Sequence, residues 1–129
     1  MGAKHLMDSN AIVDYLDAAF PANGLLVVDE ILKNEINISV VNQIELLSFL
    51  PSQKNVTQRI QDFISFANVF PLDVTIAMQT LEIRKKHQIK LPNAIIAATA
   101  IHHNLILITN NEKDFASIKG LKILNPHKL

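Results

Sequence analysis

The sequence predicts an α/β fold, a three-layer α/β/α sandwich with a central parallel sheet of four or five strands. Three observations lead to this prediction. Short β-rich segments alternate along the chain with amphipathic segments of helical period. Residues 105–109 form an uninterrupted apolar run, as strands do in the middle of a parallel sheet. Residues 93–103 are apolar on almost every side of a predicted helix, which indicates burial between other elements.

The first third of the chain predicts one strand and two helices. Residues 5–7 are mostly apolar and end at Asp8, as a short first strand would. In residues 9–19 the apolar positions recur at helical spacing, and residues 21–24, Pro-Ala-Asn-Gly, predict a turn. Helical spacing then resumes in residues 25–33, with charged side chains between the apolar ones.

The middle of the chain predicts two further strands and two helices. Residues 37–41 are β-rich, and residues 44–50 continue as a helix until the next proline. Residues 56–67 have the pattern of an amphipathic helix. Residues 68–72 are a short strand candidate, although Pro71 limits its pairing.

The last part of the chain predicts the remaining helices and strands. Residues 74–87 form a helix that ends in a basic cluster. Pro92 suits the first turn of the apolar helix that follows, because its missing N–H has no helical partner there. After the central apolar strand come a short helix at residues 112–118 and a last strand at residues 121–124. No repeat or linker divides residues 1–129, which we expect to form a single domain.

Composition narrows the class of protein. Hydrophobic residues make up 49% of the chain and aromatic residues 5%, so aliphatic side chains must build the core. The absence of cysteine excludes disulfides, thiolate metal sites and a cysteine nucleophile. Because no apolar run is long enough for a membrane span, and Asp8 interrupts any signal-peptide pattern, we expect a cytoplasmic protein.

The formal net charge of zero conceals an asymmetry between the two parts of the chain. Residues 1–50 hold seven acidic side chains against two lysines, a net charge of −5. Residues 51–129 hold ten basic side chains against five acidic ones, a net charge of +5. Such a distribution permits an acidic pocket beside a basic rim.

Three carboxylates and one amide lie at helix starts or strand ends: Asp8, Glu45, Asp114 and Asn93. In parallel α/β folds, ligands bind beyond the carboxyl ends of the strands. We expect Asp8 and the residues after the late apolar strand to lie there. Gathered carboxylates repel one another and usually need a cation. Oxygen-only ligands favour Mg²⁺ or Mn²⁺ over zinc, and such ions can assist displacement at phosphorus.

Each of these residues also has a purely structural interpretation. Asp8 is a common helix-capping residue, and Asn93 can stabilise a first helical turn. Asn111 and Asp114 have the spacing of a variant capping box. Glu45 can belong to the polar face of its own helix. These interpretations do not explain why all the residues recur together in one order along the chain.

The dense basic patch of the sequence lies just before Asn93. In that place it could hold RNA phosphates near a metal. A charge run is also typical of a solvated helix end, which the helix dipole favours. The residues of this patch are Arg84, Lys85, Lys86, His87 and Lys90.

Four segments in this order resemble the PIN-domain family, and within it the VapC-type toxins of bacterial toxin–antitoxin systems. The segments are Asp8-Ser9-Asn10 after the first strand, Ile-Glu-Leu-Leu around Glu45, Leu-Pro-Asn-Ala-Ile-Ile-Ala-Ala-Thr-Ala around Asn93, and Leu-Ile-Leu-Ile-Thr-Asn-Asn-Glu-Lys-Asp-Phe around Asp114. The resemblance runs the full length of the chain. It implies a Mg²⁺- or Mn²⁺-dependent endoribonuclease that forms a homodimer. It also implies a partner antitoxin that covers the acidic pocket, with a basic side chain replacing the metal.

The resemblance assigns roles to individual residues. Asp8, Glu45 and Asp114 take the places of catalytic, metal-holding acids. The polar residues that would support them are Asn10, Thr109 and Asn111.

Asn93 takes the fourth catalytic and metal position, where the family normally places an aspartate. Its amide oxygen can contact a cation or its waters but brings no charge, so we expect weakened metal binding. The leading hypothesis is therefore a ribonuclease toxin with weakened activity. The alternative is a catalytically degenerate module that binds RNA or a protein partner.

Overall fold

The computed structural model describes residues 2–48 and 54–129, and strands and helices alternate along it as predicted. The strands are β1 (Lys4–Met7), β2 (Asn37–Ser39), β3 (Asn68–Phe70), β4 (Leu105–Ile108) and β5 (Ile123–Leu124). The helices are α1 (Ser9–Leu16), α2 (Ala22–Asn34), α3 (Val40–Ser48), α4 (Lys54–Ser65), α5 (Val74–Lys86), α6 (Leu91–His102) and α7 (Glu112–Phe115), and a 3₁₀ turn follows at Pro126–Lys128.

The strands are parallel, as predicted, but their hydrogen bonds divide them into two sheets instead of one. One sheet has the order β1-β4-β5, and the other pairs β2 with β3. The side chain of Asn37 links the two sheets. Its Nδ2 donates to the carbonyl oxygen of His5 on β1 at 2.9 Å, and its Oδ1 accepts from Asn68 on β3 at 3.0 Å. A buried amide thus takes the place of a backbone ladder between β1 and β2.

Side chains alternate between the two faces of β1 and β4, so both faces of this sheet are covered. Leu6 pairs with Leu107, and both pack against α5 and α6 in one core cluster. Met7 pairs with Ile108, and both pack against α1, α2 and α4 in a second cluster. The predicted three-layer arrangement is confirmed, and α6 is buried along residues 94–100, as its apolar pattern indicated.

Several predicted boundaries were wrong by a few residues. The second strand stops at Ser39, because α3 begins at Val40. The helices predicted at residues 9–19 and 112–118 end at Leu16 and Phe115. The predicted helix end near residue 50 lies outside the described residues. No helix among the described residues has both the length and the hydropathy to cross a lipid bilayer.

The turn predicted at residues 21–24 is a helix start. Pro21 occupies the N-cap, and Gly24 lies inside α2, where the backbone of Pro126 packs against it. A Cβ atom at position 24 would overlap the Pro126 carbonyl oxygen. The glycine therefore marks a close approach of two backbone segments, and the sequence pattern alone suggested a turn.

Polar contacts also fasten the segment around this 3₁₀ turn, which we call the C-terminal clasp (residues 125–128). The imidazole Nε2 of His127 lies 2.8 Å from the Asp14 carboxylate on α1. Lys128 forms an ion pair with Glu112 at the start of α7, and Asn125 Nδ2 donates to the same carboxylate at 3.1 Å. The clasp thus contacts α1 and α7 in addition to α2.

Replacing Gly24 with alanine should destabilise the protein, because the new methyl group meets backbone that the clasp holds in place. We expect Gly24→Ala to lower the free energy of unfolding by about 2 kcal/mol, despite the better helix propensity of alanine. Urea denaturation measures this change. Asn23→Ala, at the exposed neighbouring position, is the matched control and should lower it by no more than about 0.5 kcal/mol. Equal stability of the two variants would contradict the proposed close approach.

Candidate active site

Asp8 lies at the carboxyl end of β1, directly beside the end of β4. Its backbone N–H donates to the carbonyl oxygen of Ile108 at 3.0 Å, and the residue is only 5% exposed. Oδ1 accepts from the Ser9 N–H at 2.8 Å, so Asp8 does cap α1. Oδ2 accepts from the Thr109 hydroxyl, also at 2.8 Å. Capping and membership of the site are therefore compatible roles for this carboxylate.

The environment of Asp8 raises the pKa of its carboxyl group above the ordinary value. Burial is the largest cause, because it disfavours the charged form. The hydrogen bonds from Thr109 and Ser9 act in the opposite direction and lower the pKa. The charges of Glu45 and Asp114 raise it further, which places all three acids in one electrostatic neighbourhood.

Glu45 is held in this neighbourhood by Ser9. The Ser9 hydroxyl donates to Glu45 Oε1 at 2.8 Å and accepts from Asn42 Nδ2 at 2.9 Å. Asn42 is fully buried, and its Oδ1 accepts from the backbone N–H of Ser39 at 2.8 Å. Asn42 and Glu45 lie one turn apart on α3, so both reach the start of α1.

Asp114 lies on α7, and two amides bind the same atom of its carboxylate. Asn93 Nδ2, in the first turn of α6, donates to Asp114 Oδ2 at 3.2 Å. Asn111 Nδ2 donates to the same oxygen at 3.0 Å. Asn111 is the N-cap of α7 but makes no side-chain capping bond to its backbone, so the proposed capping box is not formed.

Thr109 connects the two parts of the site. Its hydroxyl donates to Asp8 and accepts from the backbone N–H of Asn111 at 3.0 Å. Asn10 lies at the margin of this network, with 3.5 Å between its Oδ1 and the Thr109 hydroxyl oxygen. The side chains that the sequence grouped together are therefore neighbours in space, linked through Thr109 and Ser9.

The chemistry of these donors matches a hard divalent cation, because every candidate ligand is a carboxylate or amide oxygen. Glu45 Oε2 and Asp114 Oδ1 accept no hydrogen bond from any described residue. However, no three His, Asp or Glu side chains among residues 2–48 and 54–129 converge closely enough to hold one ion. With an amide at position 93, the pocket presents three acids that do not all meet at one point.

Sequence reasoning missed Ser9 and Asn42 as parts of the site. Ser9 directly follows Asp8 at the end of the predicted strand, and Asn42 precedes Glu45 by one helical turn. The sequence positions of both residues could therefore have indicated them.

The basic patch divides between two elements. Arg84, Lys85 and Lys86 form the exposed last turn of α5, and Lys90 is the N-cap of α6.

An open groove of about 360 Å³ adjoins the acidic residues and runs between α1, α3 and α4. Its floor and walls are mainly aliphatic, while Asp17 and Glu45 supply negative charge. The aliphatic residues are Val13, Leu46, Val56 and Ile60.

Comparisons with known proteins agree with this fold. A toxin–antitoxin complex from Klebsiella pneumoniae contains a similar chain, with 30% identity over 95% of this chain and 98% of that one and a TM-score of 0.72. VapBC2 from Rickettsia felis, bound to a DNA fragment from its promoter, gives 25% identity over 94% and 97% and a TM-score of 0.79. DNA-bound VapBC from Salmonella typhimurium shares the fold, with 23% identity over 95% and 98% and a TM-score of 0.78.

No protein with curated annotation matches the chain. The family model described as PIN domain matches residues 6–121, a span that includes Asp8, Glu45, Asn93 and Asp114. The fold and these matches lead to one conclusion: the chain belongs to the PIN domain family, and its structural relatives include VapBC toxin–antitoxin complexes.

Proposed function

We propose that the chain is a Mg²⁺- or Mn²⁺-dependent endoribonuclease and the toxin of a toxin–antitoxin pair. The observation that carries this proposal is the buried Asp8 carboxylate, linked through Ser9 to Glu45 and close enough to Asp114 for its charge to raise the pKa of Asp8. A protein has little reason to bury and crowd carboxylates unless a cation or a substrate uses them. Membership of the PIN domain family and likeness to a toxin–antitoxin complex support the same proposal.

Asp8, Glu45 and Asp114 are the residues that would hold the cation, with Asn93 as an uncharged fourth contact. A divalent ion there would polarise a phosphate of RNA and make water a better nucleophile. The protein's own contribution is to fix the carboxylates. Thr109 and the Ser9 N–H orient Asp8, while the Ser9 hydroxyl orients Glu45.

The basic patch supplies a candidate RNA contact. Lys85 pairs with Glu82 at 3.5 Å, whereas Arg84, Lys86 and Lys90 are exposed around the junction of α5 and α6, ahead of Asn93 in the chain. Such side chains can neutralise phosphates without reading the bases. A solvated helix end remains the alternative interpretation of this patch.

A second candidate function is a non-catalytic module that binds RNA or a protein partner. The hydrogen bond from Asn93 to Asp114 favours it, as does the absence of a converging group of three acids in the described residues. Both features are expected of a pocket that has kept its shape and lost its ion. Assays of cleavage and of RNA binding separate the two functions.

Asp8→Asn should abolish cleavage, because it removes the buried charge that a cation would meet. We expect Mn²⁺-dependent cleavage of a structured RNA to fall about 100-fold or more. DNA of the same sequence tests the preference for RNA. Asp62→Asn, the same change on the exposed face of α4, should leave the rate unchanged.

Two outcomes would count against the ribonuclease. Cleavage that survives Asp8→Asn would place the active site elsewhere. Binding of RNA by the wild-type chain without any Mn²⁺-dependent cleavage would favour the non-catalytic module.

The same substitution should stabilise the protein at neutral pH when no cation is present. The folded state raises the pKa of Asp8, so this group favours folding at low pH and loses that contribution as the pH rises through its pKa. The substituted amide carries no charge at any pH and can still accept from the Ser9 N–H. We expect Asp8→Asn to raise the melting temperature in EDTA by about 3 °C at pH 7, and by less as the pH falls towards 4. A lower melting temperature at pH 7 would show that the bonds from Thr109 and Ser9 outweigh burial.

The antitoxin partner is proposed to bind in the groove beside the acids. The groove offers aliphatic walls and the carboxylates of Asp17 and Glu45, so it suits an amphipathic segment that carries a basic side chain. That solved relatives are toxin–antitoxin complexes supports this choice of partner. The homodimer that the family resemblance implies stays a prediction.

A charge placed in the groove should weaken this complex. Val13→Asp puts a carboxylate on the wall beside Asp17, and we expect at least about a 10-fold loss of affinity for the proposed antitoxin protein. Isothermal titration with that protein measures the affinity. Val27→Asp on α2 is a matched control, because Val27 is 38% exposed and Val13 42% exposed. Equal affinities of the two variants would exclude the groove.

A further inference from the structure

The contact between Asn93 and Asp114 has only one chemically sensible orientation. A carboxylate accepts hydrogen bonds and cannot donate them, so the nitrogen of the Asn93 amide must face Asp114 Oδ2. The distance of 3.2 Å lies at the long end of the range for an N–H···O hydrogen bond. Asn93 therefore acts on Asp114 as a donor of partial positive charge.

The second donor completes the arrangement around this oxygen. Asn111 Nδ2 donates to the same Oδ2 at 3.0 Å, so one carboxylate oxygen is bound by amides from two sides. One amide comes from α6 and the other from the N-cap of α7. Neutral side chains thus hold Asp114 both to the start of its own helix, through Asn111, and to α6, through Asn93.

We infer that the Asn93 amide does for Asp114 what a bound cation would do if position 93 were also a carboxylate. The pocket therefore assembles without metal. The inference concerns the site on which the proposed function rests, but it is a statement about folding and not about turnover. It agrees with the finding that three acidic or histidine side chains do not converge among the described residues.

An aspartate at position 93 would replace the hydrogen bond to Asp114 with electrostatic repulsion. Two carboxylates would then face each other at the separation of the present hydrogen bond, and such a pair needs a proton or a cation between them. The identity of one side-chain atom at position 93, nitrogen in asparagine or oxygen in aspartate, therefore determines whether the α6–α7 junction depends on metal for its stability. Metal should therefore stabilise the wild-type protein less than a variant with aspartate at this position.

Thermal unfolding in EDTA and in millimolar Mn²⁺ tests the inference. Because the proposed cation can still bind, we expect Mn²⁺ to raise the wild-type melting temperature, but by less than half as much as it raises that of Asn93→Asp. Asn93→Asp should melt about 5 °C lower than wild type in EDTA, and Mn²⁺ should restore most of the loss. Asn55→Asp, the same change at an exposed position on α4, should show neither effect.

A double variant tests the hydrogen bond itself. Asn93→Asp combined with Asp114→Asn exchanges the two partners. The new amide nitrogen, in the place of Oδ2, carries two hydrogens and can donate to the carboxylate at position 93 and, once the Asn111 amide turns over, to the oxygen of Asn111. This variant should regain the wild-type melting temperature in EDTA and lose the response to Mn²⁺. It also keeps the test decisive if the single variant folds only with metal.

Three outcomes would overturn the inference. The first is a wild-type melting temperature that rises with Mn²⁺ as much as that of Asn93→Asp. The second is an Asn93→Asp variant as stable as wild type in EDTA, and the third is a double variant no more stable there than Asn93→Asp. None of these measurements involves RNA, so a chain that fails to cleave RNA can still satisfy or contradict them.

Discussion

The burial of one carboxylate at the junction of β1 and β4 is the constraint on which the rest of this site depends. Asp8 is nearly inaccessible, and burial raises the pKa of its carboxyl group. The protein offsets this cost with hydrogen bonds from Thr109 and from the Ser9 N–H. The Thr109 hydroxyl also accepts from the Asn111 N–H, and the hydroxyl of Ser9 donates to Glu45. The two residues that stabilise Asp8 therefore also position the neighbours of the other acids.

The sequence predicted the position of the site better than its internal contacts. Parallel strands bring their carboxyl ends to one edge, so Asp8 and Thr109 had to be neighbours once β1 and β4 were adjacent. That Glu45 reaches the same edge depends on a hydroxyl and a buried amide, Ser9 and Asn42. Such contacts depend on how α1 packs on α3, and local patterns do not encode that packing.

The fold shows a similar division. The spacing of hydrophobic residues predicted the alternating strands and helices and the buried α6, because the apolar side chains of each element are the ones that become buried. The pattern did not predict the separation of β2 and β3 from the main sheet, since one side chain, Asn37, links them to β1. It also assigned Gly24 to a turn, because a glycine required by a distant backbone is indistinguishable in sequence from a glycine required by local conformation.

The C-terminal clasp has a consequence for the surroundings of the acids. His127 contacts Asp14 on α1, the helix that Asp8 caps, and Lys128 contacts Glu112 on α7, the helix that carries Asp114. The two helices are therefore braced from outside the pocket by residues that touch none of its carboxylates. The clasp therefore constrains the positions of α1 and α7, and with them the surroundings of Asp8 and Asp114, through contacts that lie outside the pocket.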